Sequence, residues 1–99
     1  MTISEIPLSA DNQQFAITIA GTAYRMRLVW RESFWCLDLL NSDQSPVVLS
    51  LPLFTGADLL GQYAYLDLGF SLYIGTDVAG QEPTKTDLGF YSHLYIVTE

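Results

Sequence analysis

The sequence has little of what catalytic and nucleic-acid-binding sites are built from. Its 99 residues include one histidine, His93, one cysteine, Cys36, and four Lys and Arg together. A lone cysteine excludes an intrachain disulfide. Metal sites with N or S ligands need several His or Cys side chains, so none is expected. A Cys36–His93 pair can be drawn, but with one of each it carries no spacing signal, and a histidine in a strand pattern is more often packed than catalytic. Eleven acidic residues leave a net charge of −7, which argues against a nucleic-acid partner, because phosphate contacts need Lys and Arg.

Long apolar runs are missing as well. The longest candidate, "YAYLDLGFSLYIG", is interrupted by Asp67 and falls short of the roughly 20 residues of a membrane span, so no membrane insertion is expected. The opening "MTISEIPLSADNQQ" has neither a basic n-region nor an apolar h-region, so no signal peptide is read. With the single cysteine, this reads as a soluble chain made in a reducing cytoplasm. "SADNQQ" and "NSDQS" lack the twelve-position calcium loop and its terminal Glu. "GTDVAG" lacks the Lys-Ser or Lys-Thr of a phosphate loop. Their Asp and Asn residues read as turn formers. No catalytic residue, metal ligand or cofactor is assigned.

What is present is apolar. Hydrophobic residues make up 49 % and charged residues only 15 % of the chain, against about 25 % charged in an average globular domain. One domain over residues 1–99 is expected at this length. So small a body, with so few charges, either exposes apolar surface or covers it with a partner, and exposed patches usually mark interaction sites. The alternative is that Ser, Thr, Gln and Asn stand in for the missing charges.

The pattern along the chain is that of strands. "LVWRESFWCLDL", residues 28–39, sets two tryptophans five apart around Glu32-Ser33. A two-residue turn there pairs Trp30 with Trp35, Leu28 with Leu37 and Met26 with Leu39, and a turn at Gly21-Thr22 pairs Ile19 with Tyr24, Ile17 with Met26 and Phe15 with Leu28. Every pair is apolar, and a one-residue slip destroys the match. The other face carries Thr18, Arg25, Arg27, Cys36 and Asp38, with Arg27 opposite Asp38. Further on, Val47, Leu49 and Leu51 share a face of a strand ending near Pro52. "TGADLLGQY" reads as one helical turn capped by Thr55, packed by Leu59-Leu60 and stopped by Gly61. Leu66, Leu68, Phe70, Leu72 and Ile74 alternate as a half-buried strand, with Gly69 as a bulge. A polar loop over 75–89 leads to "FYSHLYIVTE", a strand apolar on both faces, Phe90, Leu94 and Ile96 against Tyr91, Tyr95 and Val97, and so either sandwiched or at an interface. The fold class is all-β: a small antiparallel barrel or sandwich of six to seven strands with one short helical turn. The core candidates are Trp30, Trp35, Leu37, Leu68 and Phe70. Interface candidates are Arg25, Arg27 and Arg31, three of the four basic residues on one strand face, together with Tyr91 and Tyr95, because Arg and Tyr are enriched at interfaces.

The order of "IPL", "FAITIAGTAYRMRLVW", "FWCLDL", "GADLLG", "LGFSLYI" and "EPTKTDLG" resembles the baseplate plug family of contractile-tailed phages, cyanophages included. Two marks carry the resemblance: "W-x-L-D", matched by Trp35, Leu37 and Asp38, and a late acidic-Pro-x-x-x-Asp-Leu-Gly loop, matched by Glu82, Pro83, Asp87, Leu88 and Gly89. Glu82 stands where Asp is the more usual residue. The resemblance covers nearly the whole chain. It implies a virion structural protein, synthesised in the host cytoplasm and built into the tail baseplate beside hub, spike and tube end. Several copies in cyclic symmetry and a role in plugging the tube follow as expectations. Two alternatives are weighed against it. One is a small acidic binding or inhibitor module masking a basic partner; the other is an enzyme using Asp38 or Asp67 as general base.

Overall fold

A computed structural model describes residues 2–56, 58–66, 68–77 and 80–98, at 62, 64 and 65 the backbone alone. Seven strands run β1 (Thr2–Ile6), β2 (Gln13–Ile19), β3 (Thr22–Arg31), β4 (Phe34–Asn41), β5 (Pro46–Pro52), β6 (Phe70–Thr76) and β7 (Ser92–Thr98), with a kinked 3₁₀ segment at Gly61–Leu66. They form two antiparallel sheets, β2-β3-β4-β5 and β1-β7-β6. One cluster of buried side chains draws on both, and Tyr24 of β3 meets Phe70 of β6 edge-to-face at 5.7 Å. This is an open sandwich; the sheets do not close into a barrel.

The meander from β2 to β4 is built from its turns. At β3–β4 the register is Trp30↔Trp35, Leu28↔Leu37 and Met26↔Leu39, as the apolar pairing requires. Trp30 and Trp35 meet edge-to-face at 5.5 Å, a geometry worth about 0.5–1.5 kcal/mol beyond area burial. The β2–β3 register differs from expectation by two residues: Ile19 pairs with Thr22, Ile17 with Tyr24 and Phe15 with Met26. The turn is Ala20-Gly21, with φ of 51° and 82°. A tight hairpin of right-twisting strands needs two left-handed residues with glycine preferred second, so Gly21 closes the turn rather than opening it. A two-residue slip keeps the same side chains on the same face.

Other expectations fail where local geometry departs from the pattern read in the sequence. In β5, Leu51 lies opposite Leu37 and Val48 opposite Leu39, so Leu49 and Ser50 together face Asp38. Ser50 takes φ 55°, and its N–H donates to Asp38 Oδ1 at 2.7 Å. This bulge shifts parity: Val48 and Leu51 are buried while Leu49 is half exposed. The helical turn forms one step later than expected, starting at Gly61. Thr55 does not cap it; its N–H and Oγ1 donate to the Glu82 carboxylate at 2.6 and 2.7 Å. Leu59 N–H donates to Leu72 O, and Asp58 Oδ1 accepts from Leu72 N–H, so residues 58–60 cover the free edge of β6. That strand starts at Phe70, which puts Gly69 (φ 84°) in the turn before it and not in a bulge. Leu66 lies in the 3₁₀ segment, and Asp67 lies outside the described residues. Phe90 and Tyr91 precede β7, which begins at Ser92. Trp35, Leu37 and Phe70 are buried core residues, whereas Trp30 and Leu68 are half-buried and pack on its rim.

β1 was not legible beforehand. Ile3 and Ile6, three residues apart, point to opposite faces of a strand, so no alternation marks the segment. It is held by β7, Thr2 opposite Thr98 and Ile6 opposite Leu94.

Candidate functional site

The two sequence marks meet in space and are structural. Trp35 Nε1 donates to Thr84 O at 2.9 Å, tying "W-x-L-D" to the late loop. Leu37 and Leu88 are fully buried, and Pro83 is buried too. Asp87 Oδ1 accepts from Thr84 N–H at 2.8 Å and Ser92 Oγ at 2.9 Å. Its carbonyl accepts from the N–H groups of Phe90, Tyr91 and Ser92. Gly89, at φ 85°, passes so close to Leu8 that a Cβ would sit 2.1 Å from the Leu8 carbonyl oxygen. Glu82 anchors the loop to Thr55. The loop is thus pinned to β4, to the chain after β5 and to the N-terminal segment at once, and its conformation is that of a clamp.

Asp38 serves the same end. Although it faces away from the core, it is 4 % exposed. Its Oδ2 accepts from Arg27 Nε at 2.9 Å and from Arg27 Nη2, and its Oδ1 takes the Ser50 bulge. These contacts occupy both oxygens with structural partners. Cys36 is also buried on this outer side, and burial pushes its thiol pKa up, so it stays protonated and unreactive near neutral pH. His93 lies on the outer side of the other sheet, so the two cannot act as a pair. Among the described residues no group of three or more His, Cys, Asp or Glu is placed to hold a metal ion.

The interface candidates, Tyr91 apart, divide between the two outer faces. Arg25, Arg27 and Arg31 alternate along β3 on the outer face of the four-stranded sheet, beside Val29, Phe34 and the exposed Leu49 and Phe54. Phe34 and Phe54 rings lie 5.7 Å apart. Arg27 is committed to Asp38. Arg31 is exposed, with its charge near the Cys36 thiol. Arg25 keeps a buried Nε with no hydrogen-bond partner among the described residues.

Tyr95 lies on the outer face of the three-stranded sheet, and Tyr91 stands exposed in the turn just before β7, its carbonyl accepting from Asp77 N–H at 2.7 Å. Tyr95 shares that face with Ile3, Tyr73 and Val97, which the registers Ile3↔Val97↔Ser71 and Glu5↔Tyr95↔Tyr73 bring together. Ile3 is 60 % and Tyr91 62 % exposed. The Tyr95 ring lies across Gly75, where a Cβ would be 3.0 Å from it. His93 bridges this face: Nδ1 is 2.8 Å from Glu5 Oε2 and Nε2 is 3.2 Å from Asp77 Oδ1. The hydrogen bond to Glu5 raises the His93 pKa despite desolvation. Sequence reasoning missed Ile3, Glu5, Tyr73 and Asp77 here: Ile3 and Glu5 because β1 was missed, Glu5 lying 88 positions from His93, and Tyr73 and Asp77 because only pairing with β7 brings them to this face.

No curated protein matches the sequence closely enough to count as a relative. A family model described as "Cyanophage baseplate Pam3 plug gp18" matches residues 3–99, nearly the whole chain and both marks in it. On that match, with an all-β fold whose recurrent motifs lock loops together, this chain belongs to the cyanophage baseplate plug family.

Proposed function

We propose that the chain is a non-enzymatic structural subunit of the virion, seated at the centre of the tail baseplate next to hub, spike and tube end. It is made in the host cytoplasm, assembles there in several copies around the tail axis, and holds or blocks the tube until contraction. The family match supports the baseplate location. The observation that carries the assembly role is the outer face of the three-stranded sheet, where Ile3 and Tyr73 stand exposed with Tyr95 and Val97 between them, together with Tyr91, exposed in the turn just before β7. Exposed apolar side chains gathered on one sheet suit a partner surface, and Tyr is enriched where proteins meet. Asp38 and Asp87, the buried carboxylates among the described residues, are spent on loop and bulge geometry, which leaves neither as a general base.

The test is an immunoblot for the chain on gradient-purified particles, isolated tails beside capsids. Signal confined to tails at a fixed ratio to the spike is expected. Presence in infected lysate but absence from particles would refute the baseplate role and favour the acidic module that masks a basic partner.

A further inference from the structure

We infer that neighbouring copies of this chain join head to tail, the tyrosine-bearing outer face of the three-stranded sheet on one copy docking against the arginine-bearing outer face of the four-stranded sheet on the next. This rests on the reading of several copies around the tail axis and says which surfaces make the ring. The two faces are complementary in two respects. The first holds Ile3 and Tyr73, with Tyr91 in the turn just before β7 and the carboxylates of Glu5 and Asp77, whose side chains remain 44 % and 55 % exposed around His93. The second holds exposed Leu49 and Phe54 with Arg25 and Arg31. Apart from Lys85, every lysine and arginine of this acidic chain stands on that second face.

Self-pairing of either face fails on charge. The first face against itself sets Glu5 and Asp77 of one copy against those of the other. The second sets arginine against arginine. Like charges brought together at an interface are costly, whereas the crossed arrangement gives both Arg25 and Arg31 acidic partners. Tyr rings and the Arg side chains also suit each other, since guanidinium stacks on aromatic faces. Size agrees as well. The molecule measures 31 × 27 × 22 Å, so a standard interface of about 800 Å² per partner takes up one whole face. Because the two faces lie on opposite sides of the sandwich, each copy offers one socket and one plug. That is a heterologous contact, which propagates and closes into a ring when the rotation per subunit allows.

The experiment uses the purified chain and light scattering behind size exclusion. The wild type is expected to be larger than a dimer. Two double variants each disable one face at exposed positions: Ile3→Arg with Tyr91→Arg, and Arg31→Glu with Leu49→Glu. Each alone is expected to run as a folded monomer with an unchanged near-ultraviolet circular dichroism spectrum. Mixed one to one, they are expected to form a dimer and stop there, because only one intact socket meets one intact plug. Should the charge reversals cost the fold, Ile3→Ser and Arg31→Ala replace them, with each expected to lower the oligomer mass. A wild type that stays monomeric up to about 1 mM, the weak end of measurable association, overturns the inference. So do folded variants that keep the wild-type mass, or a mixture that stays monomeric. Monomeric protein that is nonetheless present in tails refutes the head-to-tail contact alone; an oligomer absent from tails refutes the baseplate role alone.

Discussion

Gly89 and Gly69 offer a controlled pair for measuring how much the late loop's clamp contributes. Both have φ close to +85°. An added Cβ at Gly69 meets nothing within 4 Å among the described residues, whereas at Gly89 it lands 2.1 Å from the Leu8 carbonyl oxygen. Gly69→Ala is therefore charged only for a left-handed alanine, about 1–2 kcal/mol, less a few tenths recovered by stiffening the unfolded chain. Gly89→Ala carries the same backbone cost and must also push the Leu8 backbone back by about 1 Å to regain van der Waals distance. Leu8 is packed against the core, and the Gly89 N–H donates to Ser92 O at 2.8 Å. Loosening that side chain and that bond adds about 1–2 kcal/mol each, for a total of about 3–6 kcal/mol. In a domain of this size 1 kcal/mol moves Tm by roughly 4–8 °C, so the two alanine variants should differ by at least about 8 °C in a reversible melt. Urea unfolding with unchanged m-values would confirm that the folded state is what changed. Equal losses from the two substitutions would refute the clamp at Leu8.

Other substitutions separate core from rim and pair from bystander. Trp35→Ala should cost about 3–5 kcal/mol, and Trp30→Ala, half-buried, about half as much by chemical denaturation; equal costs would place both rings in the core. Arg27→Ala strips a buried carboxylate of its cation and should destabilise by about 3 kcal/mol, far more than Arg31→Ala, which removes a solvent-facing guanidinium. Glu32→Gly relieves a left-handed glutamate at φ 63° and should stabilise by up to about 1 kcal/mol; a lower Tm would mean the Glu32 side chain holds the turn. For His93 the folded pKa is raised, chiefly by the bond to Glu5, so its stabilising contribution is complete below the ordinary histidine pKa and fades as pH climbs through the raised value. The stability difference between wild type and His93→Gln should accordingly shrink between pH 5.5 and pH 8.5, on the order of the span that brackets a histidine titration; a difference that grows with pH would reverse the assignment.

How far the sequence reaches depends on how local the deciding forces are. The β3–β4 hairpin is readable residue by residue, because a two-residue turn at Glu32-Ser33 and alternating apolar side chains leave one register, and Arg27 opposite Asp38 follows from it. The late loop is legible as a motif, but its purpose is not: nothing in the sequence says that Leu8 runs past Gly89 or that Thr84 receives the Trp35 indole. β5 shows the limit from the other side. Its apolar residues promise one face, and the bulge at Leu49-Ser50 breaks that promise because Asp38, on the neighbouring strand, needs a backbone donor. β1 and the exposed face it completes belong wholly to the tertiary structure. Ile3 and Glu5 acquire meaning only when β7 folds back across nearly the full length of the chain to pair with them. Composition alone determined that this small domain is rich in apolar and poor in charged residues; only the packing of two sheets decided which faces are left bare and that Arg25, Arg27 and Arg31 lie on the opposite one from Tyr73 and Tyr95, because strand alternation assigns each residue a side but not the sheet that will cover it.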